Sequence, residues 1–145
     1  MSGILVGVDG SDNSQRALEW AAKEAAFRQT SLTVLAVHQA VHGWTGTLRF
    51  GDDEAQVQKI AEAAKAETDK VLAGLGDSRP ESVTVQAVNS FPVEELVSAS
   101  KDADLIVLGS RGVGGFNRLM MGSVTSQVAQ HAHCPVLIVP PQDRA

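Results

Sequence analysis

Five short, mostly apolar runs divide the chain into alternating elements. The runs are Gly3–Val8, Leu32–Val37, Val83–Val88, Asp104–Leu108 and Val136–Val139. Runs of this length and character are typical of strands that are buried on both faces. Between them, apolar residues recur at i, i+3 and i+4, which predicts helices with one apolar face against a sheet. The pattern therefore predicts five strands connected by four helices.

The predicted helices differ in length and in the size of their apolar side chains. They cover Ala17–Ala26, where alanines dominate, Val57–Leu75, Phe91–Val97 and Ser123–His131. Gly76–Pro80 is expected to end the second helix, because glycine suits the position after a helix and proline cannot continue it. The segment His38–Asp53 shows little periodicity, and no helix or strand is predicted for it. For Trp44, within this segment, packing or an interface is favoured over stacking on a base.

Strands that alternate with helices predict right-handed crossovers and a parallel sheet with helices on both faces, a doubly wound α/β fold. The length of 145 residues fits one domain, so residues 1–145 are expected to form a single unit. The common doubly wound arrangement places strands one and four side by side, where the winding reverses. Asp9–Ser11 and Gly109–Gly112 would then end neighbouring strands and converge on one crevice.

Charge and cysteine content narrow the choice of partners and compartment. Twelve basic and 17 acidic residues give a net charge of −5, which argues against a nucleic-acid or anionic-membrane surface. Cys134 is the single cysteine, so no internal disulfide is possible and cytosolic redox conditions are the default. Neither a basic leader nor an apolar run of membrane-spanning length is apparent. A cytoplasmic domain without a membrane partner is expected.

The fourth predicted strand leads into a glycine-rich stretch, Leu108–Thr125, which runs into the last predicted helix. Its glycines are Gly109, Gly112, Gly114, Gly115 and Gly122. Glycine has no Cβ, so a ligand can approach the backbone closely. The helix start that follows presents unpaired N–H groups and the positive end of the helix dipole. This combination predicts a binding site for the phosphates of a nucleotide.

Several enzyme motifs are excluded by missing residues. A phosphate loop of the Walker type needs a lysine before its Ser or Thr, whereas Ser123 follows Gly122 directly. The near match to G-x-G-x-x-G that starts at Gly112 lacks the final glycine and an acidic residue about twenty positions on. His131, His133 and Cys134 are too closely spaced at a helix end for a good metal site. No metal ligands are predicted.

One spacing does fit a known pattern: G-x-x-G, nine residues, and then G-[ST], formed by Gly109, Gly112, Gly122 and Ser123. It occurs with V-G-V-D-G-S at the end of the first strand, A-V-H at the end of the second, and C-P-V-L-I-V-P near the end of the chain. With these motifs the chain resembles the ATP-binding branch of the universal stress protein family over nearly its whole length. The resemblance implies a Rossmann-like sheet of the adenine nucleotide alpha hydrolase type, in the order 3-2-1-4-5, and bound ATP.

The resemblance also implies a set of nucleotide-binding positions at three strand ends and at the start of the last helix. They are Gly7, Val8, Asp9, Val37, Leu108, Gly109, Arg111, Gly112, Gly122, Ser123, Val124 and Thr125. The backbone of Val37 is expected to meet adenine, the turn after strand four to follow ribose and phosphate, and Gly122–Thr125 to bind phosphates through N–H and hydroxyl groups. Because triphosphate repels a carboxylate, Asp9 is expected to face ribose hydroxyls or a bridging Mg²⁺.

The last strand suggests a partner. Val136–Val139 lies between Pro135 and Pro140 and would form a wholly apolar sheet edge. Exposed apolar edges favour aggregation, and pairing with the same strand of a second copy would cover this one. The resemblance likewise points to a homodimer through this strand.

Three functions remain open. The first is a nucleotide-dependent stress or regulatory module without fast catalysis. The second is a slow ATPase or an adenylate-transferring enzyme of the same fold, and the third is a relative that binds AMP or flavin. The first is favoured, because the sequence places no histidine or glutamate near the glycine-rich stretch to activate water.

Overall fold

The computed structural model of the chain describes residues 3–38, 50–110 and 122–142, without the side chains of residues 38 and 50–53. Within these ranges, strands and helices alternate throughout. The order is β1 (Ile4–Val8), α1 (Asp12–Arg28), β2 (Ser31–His38), α2 (Phe50–Gly74), β3 (Ser82–Asn89), α3 (Pro92–Ser100), β4 (Leu105–Gly109), α4 (Ser123–His131) and β5 (Val136–Val139). Each predicted strand and helix is therefore present.

Several element boundaries differ from the sequence prediction, among them those on either side of the segment predicted to be irregular. His38 belongs to β2, and α2 begins at Phe50, so the segment predicted to be irregular shortens at both ends. His38 extends β2 because it pairs with Asn89 of β3, a contact that strand periodicity does not reveal. At the other end of the segment, α2 begins seven residues before Val57, where its apolar period begins in the sequence. Trp44 lies outside the described residues.

The sheet is parallel and has the order β3-β2-β1-β4-β5, as the family resemblance implied. β1 is its centre: Ile4 pairs with Leu32 of β2 on one side and with Leu105 of β4 on the other. β1 and β4 are almost wholly buried, as their continuous apolar runs predict. The chain therefore folds as a doubly wound α/β sheet whose winding reverses between β1 and β4.

Two apolar cores lie on opposite faces of this sheet. On one face, α1 packs through the fully buried Ala17, Ala21 and Ala25, whose small side chains let the helix lie close to the strands. On the other face, Leu96 of α3 and Val128 of α4 pack against strand residues. α3 and α4 thus cover the face from which the cleft described below opens. Among the described residues, no helix combines the length and apolar character needed to cross a membrane.

Candidate functional site

A cleft of about 390 Å³ opens at the carboxyl ends of β1, β2 and β4. Its walls come from these strand ends, from the first turns of α1 and α4, and from α3. The lining residues are Gly7, Val8, Asp9, Ser14, Leu35, Val37, Pro92, Leu96, Leu108, Gly109, Gly122, Ser123, Val124 and Thr125. The cleft therefore occupies the point where the winding of the sheet reverses, which is where ligands bind in open α/β sheets.

Every site residue predicted from the sequence that falls within the described ranges lines this cleft. These residues are Gly7, Val8, Asp9, Val37, Leu108, Gly109, Gly122, Ser123, Val124 and Thr125. Arg111 and Gly112 lie outside the described residues. The fold thus brings together positions that are up to 118 residues apart in sequence, from Gly7 to Thr125.

Four lining residues were missed by the sequence analysis: Ser14, Leu35, Pro92 and Leu96. Leu35 precedes Val37 by two positions, so strand alternation places both on one face and offered a usable signal. Pro92 and Leu96 are four residues apart on α3, and residues with this spacing lie on one face of a helix. No motif, however, indicated that α3 would contribute to the site.

The end of β1 is held by hydrogen bonds around Asp9. One carboxylate oxygen of Asp9 accepts from the Ser11 backbone N–H at 3.0 Å, and the Asp9 N–H donates to the Ser14 hydroxyl at 3.3 Å. The Ser11 side chain caps α1 by accepting from the Ser14 N–H at 3.1 Å. These bonds make Asp9, which lines the cleft, part of the turn that starts α1.

The end of β4 is a glycine turn, which we define as Gly109 and Ser110. The Gly109 carbonyl accepts from the Thr125 hydroxyl at 2.7 Å, and the Ser110 carbonyl accepts from the Gly122 N–H at 2.6 Å. These bonds join the glycine turn to the start of α4 on either side of residues 111–121. The hydroxyl hydrogen of Thr125 is therefore engaged within the protein. Phosphate binding by the Thr125 side chain stays a prediction.

The start of α4 faces the cleft without a side-chain cap. Gly122 occupies the capping position in an extended conformation, and glycine has no side chain that could accept a hydrogen bond from the first turn. The first N–H groups of a helix have no partners within the helix, and together with the dipole they attract anions. Ser123, the first residue of α4, carries a hydroxyl that accepts from the Gln127 side chain at 3.1 Å.

Two glycines of the site have neighbours that an added Cβ would meet at close range. A Cβ added to Gly7 would lie 2.8 Å from Cδ2 of Leu108 and 3.1 Å from Cδ2 of Leu96. A Cβ added to Gly109 would lie 2.8 Å from Oδ1 of Asn13. Leu96 and Leu108 line the cleft and Asn13 does not. Gly7 therefore leaves space on the cleft side, whereas Gly109 leaves space for α1.

The opposite face of the sheet is acidic near β1. A smaller cavity of about 270 Å³ there is lined by Asp9 and by Glu67 of α2, among others. Burial raises the pKa of Glu67, the nearby carboxylates of Asp9 and Asp12 raise it further, and Lys70 opposes them. One carboxylate oxygen of Glu67 is buried without a hydrogen-bond partner in the described structure. Across residues 3–38, 50–110 and 122–142, no three His, Cys, Asp or Glu side chains are grouped to hold a metal.

The architecture and the position of the cleft define a class, the doubly wound α/β domains whose ligand site lies at the switch point. Residues 1–140 match the universal stress protein family, and the chain belongs to this family. The family membership is thereby confirmed, and the sheet order that the resemblance implied is the order found in the structure.

Curated relatives are longer than this chain. The universal stress protein Rv2623 of Mycobacterium tuberculosis is 38% identical over 149 residues, an alignment that covers 97% of this chain and 48% of the relative. The chain thus spans about half the length of the curated relatives it matches.

Solved structures of similar length share the fold. A universal stress protein from Lactobacillus plantarum superimposes with a TM-score of 0.77 at 28% identity, covering 95% of this chain and 97% of the other. A universal stress protein in complex with cAMP has a TM-score of 0.69 at 25% identity, with 97% and 98% covered. One from Archaeoglobus fulgidus in complex with dAMP has a TM-score of 0.61 at 26% identity, with 96% and 98% covered.

Proposed function

We propose that this chain is an ATP-binding universal stress protein domain, which holds the nucleotide and regulates partners without fast turnover. The observation that carries the proposal is the convergence of an apolar wall, the glycine turn and the uncapped start of α4 on one cleft. Its volume of about 390 Å³ lies within the range of roughly 300–1,000 Å³ that is typical of small-molecule sites.

The apolar wall is suited to a nucleotide base. Leu35 and Leu96 are 4% exposed and are held by the core beneath the cleft, and Val37 and Pro92 lie beside them. The transfer of a flat heteroaromatic ring from water to such a surface is favourable. Val37 near the end of β2 also offers backbone groups that can specify the edge of adenine. This end of the cleft is therefore assigned to the base.

The other end of the cleft is suited to phosphate. The N–H groups at the start of α4 and the helix dipole attract anions, and no carboxylate from α4 competes with them, because its first turn carries no acidic residue. Asp9 lies at the β1 end, where ribose hydroxyls or a Mg²⁺ ion bridging to phosphate would suit its charge. When bound, Mg²⁺ would offset phosphate charge.

The number of phosphates distinguishes two candidates. The complexes of two structural neighbours with cAMP and dAMP support an adenine nucleotide, and they also favour a monophosphate as the second candidate. The proposal of ATP rests on the spacing of Gly109, Gly112, Gly122 and Ser123. Slow hydrolysis remains the enzymatic alternative. Asp9 is the only carboxylate of the described cleft lining, and it is tied into a turn rather than placed as a base.

The first experiment identifies the ligand. Chromatography of nucleotide released from the denatured protein, followed by calorimetric titration with ATP, AMP, cAMP and adenosine, should give ATP as the tightest ligand. Gly122→Val adds a branched side chain at the start of α4 and should weaken ATP binding by at least about tenfold. Gly74→Val is the matched control, because a Cβ at Gly74 meets nothing within 4 Å.

Three results would count against this proposal. Absence of adenine nucleotide binding would exclude the function, and tighter binding of AMP or cAMP would select the monophosphate candidate. Rapid single-turnover hydrolysis that Gly122→Val abolishes would select the ATPase.

We also propose that two copies pair through β5. This strand is a sheet edge that pairs with β4 on one side, and Val136, Leu137 and Ile138 are only partly buried. Pairing of β5 with β5 would cover both the backbone groups and the apolar side chains. Light scattering should give the mass of a dimer, and a monomer at every concentration would exclude it.

A further inference from the structure

Asn13 contacts the glycine turn although it does not line the cleft. It is the second residue of α1 and is 6% exposed. Its Oδ1 and Cγ atoms lie 2.8 and 2.9 Å from the position that a Cβ on Gly109 would take. The hydroxyl of Ser110 points to the same Oδ1 atom at 3.5 Å. The side chain of Asn13 therefore packs directly against both residues of the glycine turn.

A hydrogen bond fixes Asn13 in this position. Its Nδ2 group donates to the carbonyl of Val139, the last residue of β5, at 3.0 Å. The same carbonyl accepts from the Ser110 backbone N–H at 3.0 Å. One carbonyl oxygen thus holds both the Asn13 amide and the main chain of the glycine turn, so the two cannot move independently.

The glycine turn transmits this constraint to the start of α4. The Ser110 carbonyl accepts from the Gly122 N–H, and the Gly109 carbonyl accepts from the Thr125 hydroxyl. A displacement of Gly109 or Ser110 would therefore move the N–H groups that the proposed function assigns to phosphate. Asn13 is not among the residues that line the cleft, and its contacts described above reach β5 and the glycine turn.

We propose that Asn13 is a positioning residue that sets the preference of the cleft for ATP over adenosine, by holding the glycine turn against the start of α4. The inference rests on the proposed function and deepens it. Asn13 does not line the cleft, so it would act on a bound nucleotide through Gly109 and Ser110. Its loss should therefore weaken phosphate binding and leave the base end intact.

Arg16 offers a matched control from the same face of α1. It lies three residues after Asn13, and its guanidinium donates to the carbonyl of Pro140, the residue that follows Val139. Both side chains thus tie the end of β5 to α1. Asn13 also contacts the glycine turn, whereas the hydrogen bond of Arg16 reaches Pro140. A role confined to tethering β5 would make the two residues equivalent.

The test compares dissociation constants of ATP and adenosine for the unchanged chain, Asn13→Ala, Asn13→Ser and Arg16→Ala. For both Asn13 variants we expect ATP affinity to fall about tenfold, the effect of one lost buried hydrogen bond, and adenosine affinity to change less than about threefold. Arg16→Ala should preserve the ratio of the two constants. Circular dichroism checks that each variant folds. Asn13→Ser, which keeps a polar side chain at this position, provides the measurement if Asn13→Ala does not fold.

Each other outcome overturns the inference. Equal weakening of ATP binding and adenosine binding would show that Asn13 has a general structural role. Unchanged affinities for both ligands would show that the glycine turn does not depend on Asn13. A similar shift in Arg16→Ala would assign the effect to tethering of β5. If the unchanged chain binds neither ligand, the proposed function itself fails. If the unchanged chain binds ATP and the Asn13 variants do not weaken ATP binding selectively, the inference fails and the proposed function stands.

Discussion

Replacing Gly109 by alanine should destabilise the fold, because the new methyl group would meet a side chain that cannot move away. Its carbon would lie 2.8 Å from Oδ1, 2.9 Å from Cγ and 3.1 Å from the backbone oxygen of Asn13. Asn13 is buried and is hydrogen-bonded to the Val139 carbonyl, so a rotation of its side chain would break that bond. The clash must therefore be relieved by a shift of β4 or α1.

The size of the effect follows from the number of close contacts. Inserting a methyl group into a well-packed site costs about 1–3 kcal/mol, and three approaches near or below 3 Å place Gly109→Ala in the upper part of this range. Asn13→Ala removes Oδ1 and Cγ and leaves the backbone oxygen at 3.1 Å. In that background, Gly109→Ala should cost less than about 1 kcal/mol, so the two changes are coupled by more than about 0.5 kcal/mol.

Urea unfolding of the two single variants and the double variant measures this coupling. The slope of the free energy against urea concentration should stay constant, which shows that stability alone has changed. Gly74→Ala is the control: it ends α2, a Cβ there meets nothing within 4 Å, and alanine should stabilise slightly. Additive effects of Gly109→Ala and Asn13→Ala within about 0.3 kcal/mol would refute the packing of Asn13 against the glycine turn.

Two further variants test the electrostatics and the shape of the site. The pKa of Glu67 is raised by burial and by the carboxylates of Asp9 and Asp12, so the folded state should lose stability as pH rises from the unfolded-state pKa through the folded one. Glu67→Gln should therefore stabilise the chain at about pH 8 and much less at about pH 4, as measured by urea unfolding; equal stabilisation at both would exclude the charge as the cause. Gly7→Ala places a Cβ 2.8 Å from Cδ2 of Leu108, which lines the cleft. Calorimetry should show that the affinities for adenosine and for ATP fall by the same factor. A fall in the affinity for ATP alone would contradict the assignment of the base end.

The strands were predictable because the sheet is parallel and buried on both faces. β1 and β4 sit at its centre, so almost every residue of their apolar runs is buried and the pattern is unambiguous. Their exact ends were not predictable, because they depend on pairing. β4 ends at Gly109, one residue beyond the predicted end, since Gly109 pairs with Val139 of β5. Glycine has low strand propensity, so only the neighbouring strand determines this boundary.

The contribution of α3 to the cleft was not predictable from local pattern. Pro92 and Leu96 follow β3, the strand at the far edge of the sheet, and no phosphate or nucleotide motif surrounds them. They reach the cleft because the crossover from β3 to β4 carries α3 back over the face that includes Leu35 of β2 and Leu108 of β4. That placement is a property of the strand order, which the residues alone left open until the family resemblance was considered.

The glycines of the motif serve different neighbours, which the sequence treats alike. A glycine near phosphate usually allows the ligand to approach the backbone closely. The missing side chain of Gly109, however, would point at Asn13, a residue 96 positions earlier in the chain. Gly7 leaves room for side chains that line the cleft. Gly109 is therefore required by the packing of α1 on the glycine turn, and its value to a phosphate would come from the position of its backbone, which Asn13 holds.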